Sequence, residues 1–109
     1  MLKTNFGKLM VYSSNKESQN KKLKAINLAT RKTARLLNMS FESRQINENF
    51  SKVFVYYDNG TDEPIPIYCD KGKKERIQDI CTILRKMMFV LSFHPKHFSL
   101  KYILDLHQK

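Results

Sequence analysis

The segment from Lys52 to Cys69 constrains the fold more than any other part of this chain. It contains two short runs, "KVFVYY" and "PIPIYC", which are rich in β-branched and aromatic residues, and the polar stretch "DNGTDE" separates them. Residues of these types favour strands, and an Asn-Gly pair favours the reversal of a tight hairpin. The segment therefore predicts an antiparallel β-hairpin.

Two prolines predict the place of the second hairpin strand in the sheet. Pro64 and Pro66 remove N–H groups from one side of the strand, whereas Ile65 and Ile67 keep theirs on the other side. Prolines suit an outer strand because its exposed side must not pair with another chain. We therefore expect the strand Pro64–Cys69 at an edge of the sheet.

Apolar periodicity predicts two amphipathic helices. The first spans about Gln19 to Met39, and the second begins after Gly72 and ends near Ser92, shortly before Pro95. The core-facing residues of the first helix are Leu23, Ile26, Thr30, Ala34 and Leu37. Those of the second are Ile77, Ile80, Cys81, Leu84, Met87, Met88 and Leu91.

Two further runs predict strands near the two ends of the chain. "KLMVYS", from Lys8 to Ser13, is apolar. Every second position of Phe98–Leu106 is apolar, namely Phe98, Leu100, Tyr102, Leu104 and Leu106, whereas a helical pattern would use only Leu100, Ile103 and Leu104, so we favour a strand. We read Ser40–Phe50 as a polar connection. The predicted order is β-α-β-β-α-β, the split βαβ pattern of a small two-layer α+β sandwich, either ferredoxin-like or a variant with Pro64–Cys69 at an edge.

Composition indicates one globular domain over residues 1–109. The hydrophobic fraction is 41%, and glycine and proline occur only three times each, which argues against a disordered chain. The sequence contains no apolar run of membrane-spanning length and no apolar start typical of a signal peptide. Cys69 and Cys81 are too few for a disulfide framework. We therefore expect a cytoplasmic protein without a membrane partner.

The charge balance indicates the class of partner. Lysine and arginine number 20 against 10 aspartates and glutamates, which gives a formal charge of +10. Such self-repulsion destabilises a small domain and is typical of proteins that bind a polyanion, most often nucleic acid. An acidic protein partner and a merely solvated basic surface are the alternatives.

The first predicted helix carries a one-sided set of cations. At about 100° per residue, they project within an arc of roughly 100° beside the apolar face. They are Lys21, Lys24, Arg31, Lys32 and Arg35. Such a row suits phosphate groups, because each contact releases condensed counterions. An ordinary solvated helix face is the alternative interpretation.

A second cationic cluster lies in "DKGKKERI", from Asp70 to Ile77, where we predict the first turn of the second helix. Its cations are Lys71, Lys73, Lys74 and Arg76. Cations are unfavourable at a helix N-terminus unless an anion binds there, and Gly72 would let its backbone approach closely. The segment thus predicts an anion site without the spacing of a P-loop. A helix capped by Asp70, with the lysines in water, explains the same residues.

Two DNA- and RNA-binding motifs resemble parts of the chain. Thr33–Ile46 is similar in part to a helix-turn-helix, but Arg44 falls where a buried residue is needed, so we favour a long helix followed by a loop. The predicted element order also invites comparison with the RNA recognition motif, although "PIPIYCDK" lacks its aromatic pattern. The tyrosines available to replace those aromatics are Tyr12, Tyr56, Tyr57 and Tyr68. Half-buried sheet positions are the more typical place for them.

Few residues in the sequence are arranged as a metal site or a catalytic site would require. Eleven residues separate Cys69 from Cys81, unlike the close cysteine pairs of zinc modules. His94 and His97 could act as acid and base in a metal-independent nuclease, but histidines after a helix are more typical of a C-terminal cap. We therefore predict no metal, cofactor or enzymatic activity.

These observations lead to two functional hypotheses. The first is a small non-enzymatic protein that binds DNA or RNA through phosphate contacts, with any base preference supplied by Asn59, Gly60 and the tyrosines. The alternative is a protein-interaction or inhibitor module whose basic face docks on an acidic protein. Phe89, Phe93 and Phe98 are its candidate apolar anchors.

Overall fold

The computed structural model describes residues 7–14, 20–47, 52–60, 63–70 and 75–93. Their elements are β1 (Lys8–Ser14), α1 (Asn20–Leu36), β2 (Ser40–Ile46), β3 (Phe54–Asp58), β4 (Ile65–Cys69) and α2 (Ile77–Leu91). Both predicted helices and the first three predicted strands are thus present. The last predicted strand, Phe98–Leu106, lies outside the described residues.

The four strands form one sheet in the order β2-β1-β3-β4. β1 pairs in parallel with β2, which it reaches through α1, and in antiparallel with β3, which in turn pairs in antiparallel with β4. Core residues of both helices pack against the sheet face that carries Leu9 and Val11. This arrangement confirms the predicted two-layer α+β sandwich.

The main departure from the prediction is β2, which lies where we expected a polar connection. Its backbone pairs with β1 along its whole length, from Ser40 opposite Lys8 to Ile46 opposite Ser14. β2 is the outermost described strand on its side, so polar side chains are tolerated there, and only Phe41, Glu42 and Ile46 are partly buried. Pairing with β1, and not apolar periodicity, makes this segment a strand.

The same strand rules out the helix-turn-helix alternative, because Ser40–Ile46 occupies the place of the recognition helix. α1 instead ends at Leu36, and Asn38, two residues later, has a left-handed φ of 56°. The N–H of Asn38 donates to the carbonyl of Arg35, and that of Met39 to the carbonyl of Ala34 at 2.7 Å. These two bonds form a Schellman cap, which redirects the chain from α1 into β2.

The predicted hairpin is confirmed, and among the described strands so is its position at the edge of the sheet. β4 is the last described strand of the sheet, next to β3. The connection, residues 59–64, is longer than a two-residue turn, and Asp58 Oδ1 accepts the N–H of Gly60 at 2.8 Å. The strand order nevertheless differs from the ferredoxin-like one, because the parallel strands β1 and β2 are neighbours with no strand between them.

The core lies between the helices and the sheet. Its most deeply buried residues include Leu9, Val11, Ile26, Leu84 and Met88, all at most 1% exposed. Burying each such side chain contributes about 1.5–3 kcal/mol before the loss of chain entropy is counted. Neither described helix is long and apolar enough to cross a membrane.

Candidate nucleic-acid interface

The five cations predicted on α1 share the helix face that points away from the core. Leu23, Ile26 and Leu37 anchor the opposite face of α1 in the core. We use the name cationic face for Lys21, Lys24, Arg31, Lys32 and Arg35, all of which are exposed. The amphipathic pattern of α1 therefore places these charges in solvent as the sequence indicated.

No ion pair within the described residues neutralises the cationic face. The described carboxylates that form ion pairs have other partners: Asp70 pairs with Lys22, Asp79 with Arg76, and Glu42 with both Lys8 and Arg44. Hydrogen bonds from Lys8 and Arg44 lower the pKa of Glu42 below its ordinary value. Within the described residues, therefore, no carboxylate forms an ion pair with the cationic face.

The structure extends the cationic face onto the second helix. Lys32 of α1 and Arg85 of α2 line one open groove between the helices, together with Gln78, Asp79 and Thr82. Arg85 is exposed. Its neighbour Asp79 already pairs with Arg76. Residues far apart in the chain therefore meet in one positively charged groove, which periodicity within a single helix could not reveal.

An aromatic ring positions one member of the cationic face. The guanidinium carbon of Arg31 lies 5.2 Å from the ring centroid of Phe41 on β2, a cation–π geometry. Arg35, Asn38 and Met39 line the same shallow hollow as Arg31 and Phe41. The ring restrains the Arg31 side chain while its head group stays exposed.

Of the second predicted cluster, only Arg76 belongs to the described residues. α2 begins at Ile77, so Arg76 is its N-cap residue and not part of its first turn. Arg76 Nε lies 3.0 Å from Asp79 Oδ2, and the hydrogen bond from Arg76 to Asp79 raises the pKa of the guanidinium. Lys71, Lys73 and Lys74 lie outside the described residues.

The alternative interpretation required Asp70 to cap α2, but Asp70 has a different role. Its side chain is 3% exposed, and its carboxylate accepts the backbone N–H of Val53 and the ammonium of Lys22. Asp70 therefore joins the end of β4 to β3 and to α1.

The pleat of the sheet sorts the four candidate tyrosines. Tyr57 and Tyr68 belong to the core. Burial raises the pKa of Tyr57 to about 12. Burial, and then its hydrogen bond to Glu75, also raise the pKa of Tyr68. Tyr12 and Tyr56 lie on the opposite sheet face and are partly exposed.

Sequence reasoning missed Phe54 as a companion of these two tyrosines. Its ring centroid lies 6.4 Å from that of Tyr56, on the same sheet face. The signal was present in the alternation along β3, where Val55 and Tyr57 face the core while Phe54 and Tyr56 face outward. The alternation of inward and outward positions along β3 is therefore enough to predict that Phe54 and Tyr56 lie on the same outer face.

The described residues contain no group of three or more His, Cys, Asp or Glu side chains arranged to hold a metal ion. Cys69 and Cys81 are partly buried free thiols. Cys81 Sγ lies 3.6 Å from the carbonyl oxygen of Ala29, where it contributes to the contact between α2 and α1. His94 and His97 lie outside the described residues.

Comparison with protein families finds no match for this chain, and comparison with curated protein sequences finds none either.

Proposed function

We propose that this protein binds nucleic acid through the phosphate backbone, with the cationic face of α1 as the main contact surface. One observation carries the proposal: the five cations are exposed on one side of one helix, and none forms an ion pair with a described carboxylate. Like charges on one helix repel each other unless an anion lies among them. A phosphate backbone supplies evenly spaced anions over that length.

Counterion release gives the proposal a measurable consequence. Each phosphate neutralised on duplex DNA contributes about −0.9 to the slope of log affinity against log salt concentration. The cationic face alone thus predicts a slope of about −4 to −5 if all its cations reach phosphates. The segment Lys71–Lys74 and Arg76 would add to it, with Arg76 contributing less because Asp79 already holds it.

The proposal includes no catalytic step and places the protein in the cytoplasm, where partly buried thiols such as those of Cys69 and Cys81 stay reduced. Phosphate contacts of this kind position a protein on nucleic acid without reading its sequence.

The test is a titration of DNA and RNA oligonucleotides at two salt concentrations. Arg31→Glu/Arg35→Glu should weaken binding at least tenfold and flatten the salt dependence, and Lys73→Glu/Lys74→Glu tests the second cluster. Lys86→Glu, compared with Arg31→Glu alone, is the matched control, because both make the same change in charge and Lys86 is exposed away from α1. Binding no tighter than about 10⁻⁴ M at physiological salt rejects the proposal. An equal loss in the control assigns the effect to net charge and rejects the site.

One observation favours the protein-interaction alternative. Val90 and Phe93, at the end of α2, are 61% and 63% exposed. The Phe93 ring meets that of Phe89 edge to face, with centroids 5.0 Å apart. A titration with polyglutamate, matched in charge to an oligonucleotide, separates the two functions. The protein-interaction alternative requires that polyglutamate bind about as tightly as the oligonucleotide. It also requires that Phe93→Ser weaken polyglutamate binding at least tenfold.

A further inference from the structure

The outer face of the sheet carries an aromatic cluster that none of the helices in the described ranges covers. Tyr12 of β1, Phe54 and Tyr56 of β3, and Ile46 of β2 line an open apolar groove there. The rings of Tyr12 and Tyr56 meet edge to face, with centroids 5.2 Å apart. We use the name aromatic face for these four residues.

We propose that the aromatic face stacks the unpaired bases of a single-stranded nucleic acid. This inference rests on the proposed function and narrows it to one class of ligand. A base stacked on an aromatic side chain gains affinity whatever its identity, because every base has a π-face. A duplex keeps its bases stacked on one another, so it cannot use this surface.

Charge at the rim of the aromatic face favours a nucleic acid over an apolar protein segment. The side chains of Arg44 and Glu42 on β2, and that of Lys8 on β1, lie on the outer face of the sheet. Both cations pair with the carboxylate of Glu42, and Asp58 of β3, opposite Lys8, is a second carboxylate on this face. With Lys52, which is exposed just before β3, three cations stand against two carboxylates at this rim. Cations beside stacking rings match a ligand that presents bases and phosphates together.

The position of β2 connects the two surfaces. β2 is the outermost described strand on its side, with Arg44 directed outward and Phe41, beneath Arg31, directed toward α1. Phosphates of a flexible strand can therefore follow the edge of β2 from the aromatic face to the cationic face, while a few bases stay on the rings. This route uses the charges of α1 and the rings of the sheet in one complex.

The test compares Phe54→Leu/Tyr56→Leu with the parent chain on three probes. These are oligo(dT) and oligo(rU) of about ten nucleotides and a hairpin duplex with a similar number of phosphates. Loss of one stacked base should weaken single-strand binding by about 5- to 150-fold, with little change in duplex affinity. The salt slope should stay the same because no charge changes. Phe93→Leu, which removes an exposed ring elsewhere, is the control.

Intrinsic fluorescence gives an independent readout, since the chain contains no tryptophan and its emission comes from tyrosine. Stacking on Tyr12 or Tyr56 should quench this emission on titration with oligo(dT), and the double variant should lose most of the quenching. A circular dichroism spectrum like that of the parent shows that the variant is folded. If the double variant unfolds, Tyr56→Leu alone tests stacking: it should weaken single-strand binding, whereas Tyr56→Phe, which keeps a ring, should retain affinity.

Four outcomes overturn the inference. Equal losses on single-stranded and duplex probes, or unchanged single-strand affinity in the folded double variant, exclude stacking on the aromatic face while the proposed function stands. A concentration-dependent dimer that the double variant abolishes assigns the face to a second copy of the chain. Absence of binding to every probe rejects the proposed function itself.

Discussion

Lys22 Nζ lies 3.2 Å from Oδ1 of Asp70, so α1 is tied by an ion pair to the residue that follows β4. The Asp70 side chain is almost fully buried, whereas that of Lys22 is 27% exposed. Asp70 also exchanges hydrogen bonds with Val53, since its carboxylate accepts the Val53 N–H and its own N–H donates to the Val53 carbonyl at 3.1 Å. One carboxylate thus joins the helix layer to the sheet.

The first prediction concerns this carboxylate. Asp70→Ala should lower the free energy of unfolding by about 2–4 kcal/mol, because it leaves the buried N–H of Val53 without its side-chain acceptor and Lys22 without its anion. Asp70→Asn should cost less, since an amide oxygen can still accept from Val53. Urea denaturation followed by circular dichroism measures both. Lys21→Ala, at an exposed neighbouring position, should change stability by no more than about 0.5 kcal/mol; equal effects in all three variants would contradict the prediction.

The second prediction concerns Gly7, which precedes β1. Its φ is +110°, and a Cβ there would lie 2.5 Å from the backbone carbonyl oxygen of Asp58. Gly7→Ala should therefore cost about 2–4 kcal/mol, from backbone strain and from displacement of β3. Gly60→Ala is the matched control, because φ is +90° there but a Cβ would contact nothing. It should cost only about 1–2 kcal/mol, and thermal denaturation compares the two. A Gly60 variant as unstable as the Gly7 variant would show that the steric contact is unimportant.

The third prediction concerns stability at alkaline pH. Burial raises the pKa of Tyr57 to about 12 in the folded protein, above its ordinary value near 10. The unfolded chain then releases its proton first, so the stabilisation is fully present below about pH 10 and is lost as pH rises toward 12. The loss should approach about 2 kcal/mol.

Urea denaturation over this pH range, with tyrosinate absorbance recorded alongside, checks the third prediction. Tyr57→Phe cannot ionise at this position, so its stability should fall less steeply over the same interval. Identical pH profiles in the parent and the variant would show that Tyr57 does not cause the loss.

The fourth prediction concerns the groove between the helices. If Lys32 and Arg85 contact the same nucleic-acid backbone, Lys32→Ala and Arg85→Ala should each reduce the magnitude of the salt slope by about 0.7–0.9. Lys86→Ala, at an exposed position of α2 that does not line this groove, should leave the slope unchanged. Fluorescence anisotropy with a labelled oligonucleotide at several salt concentrations measures all three. A change in slope for Lys32→Ala alone would limit the contact surface to α1.

Local sequence determined the elements that have their own periodicity or turn chemistry. The apolar residues of α1 and α2 recur at helical spacing, so both helices and their buried faces could be predicted, and with them the exposure of the cationic face. The prolines at positions 64 and 66 likewise gave the edge position of β4. Each of these inferences needs only residues close together in the chain.

Tertiary structure alone decided which distant residues meet. β2 has a polar sequence and becomes a strand because the backbone of β1 pairs with it. Asp70 is buried against Val53, and Lys32 and Arg85 line one groove, because strand pairing and the packing of the two helices place them there. Strand register decided which tyrosines lie in the core and which lie on the outer face. A shift of the register by one residue would exchange the two faces. Periodicity in the sequence predicts which face of a helix or strand is buried, whereas tertiary packing decides which residues contact that face.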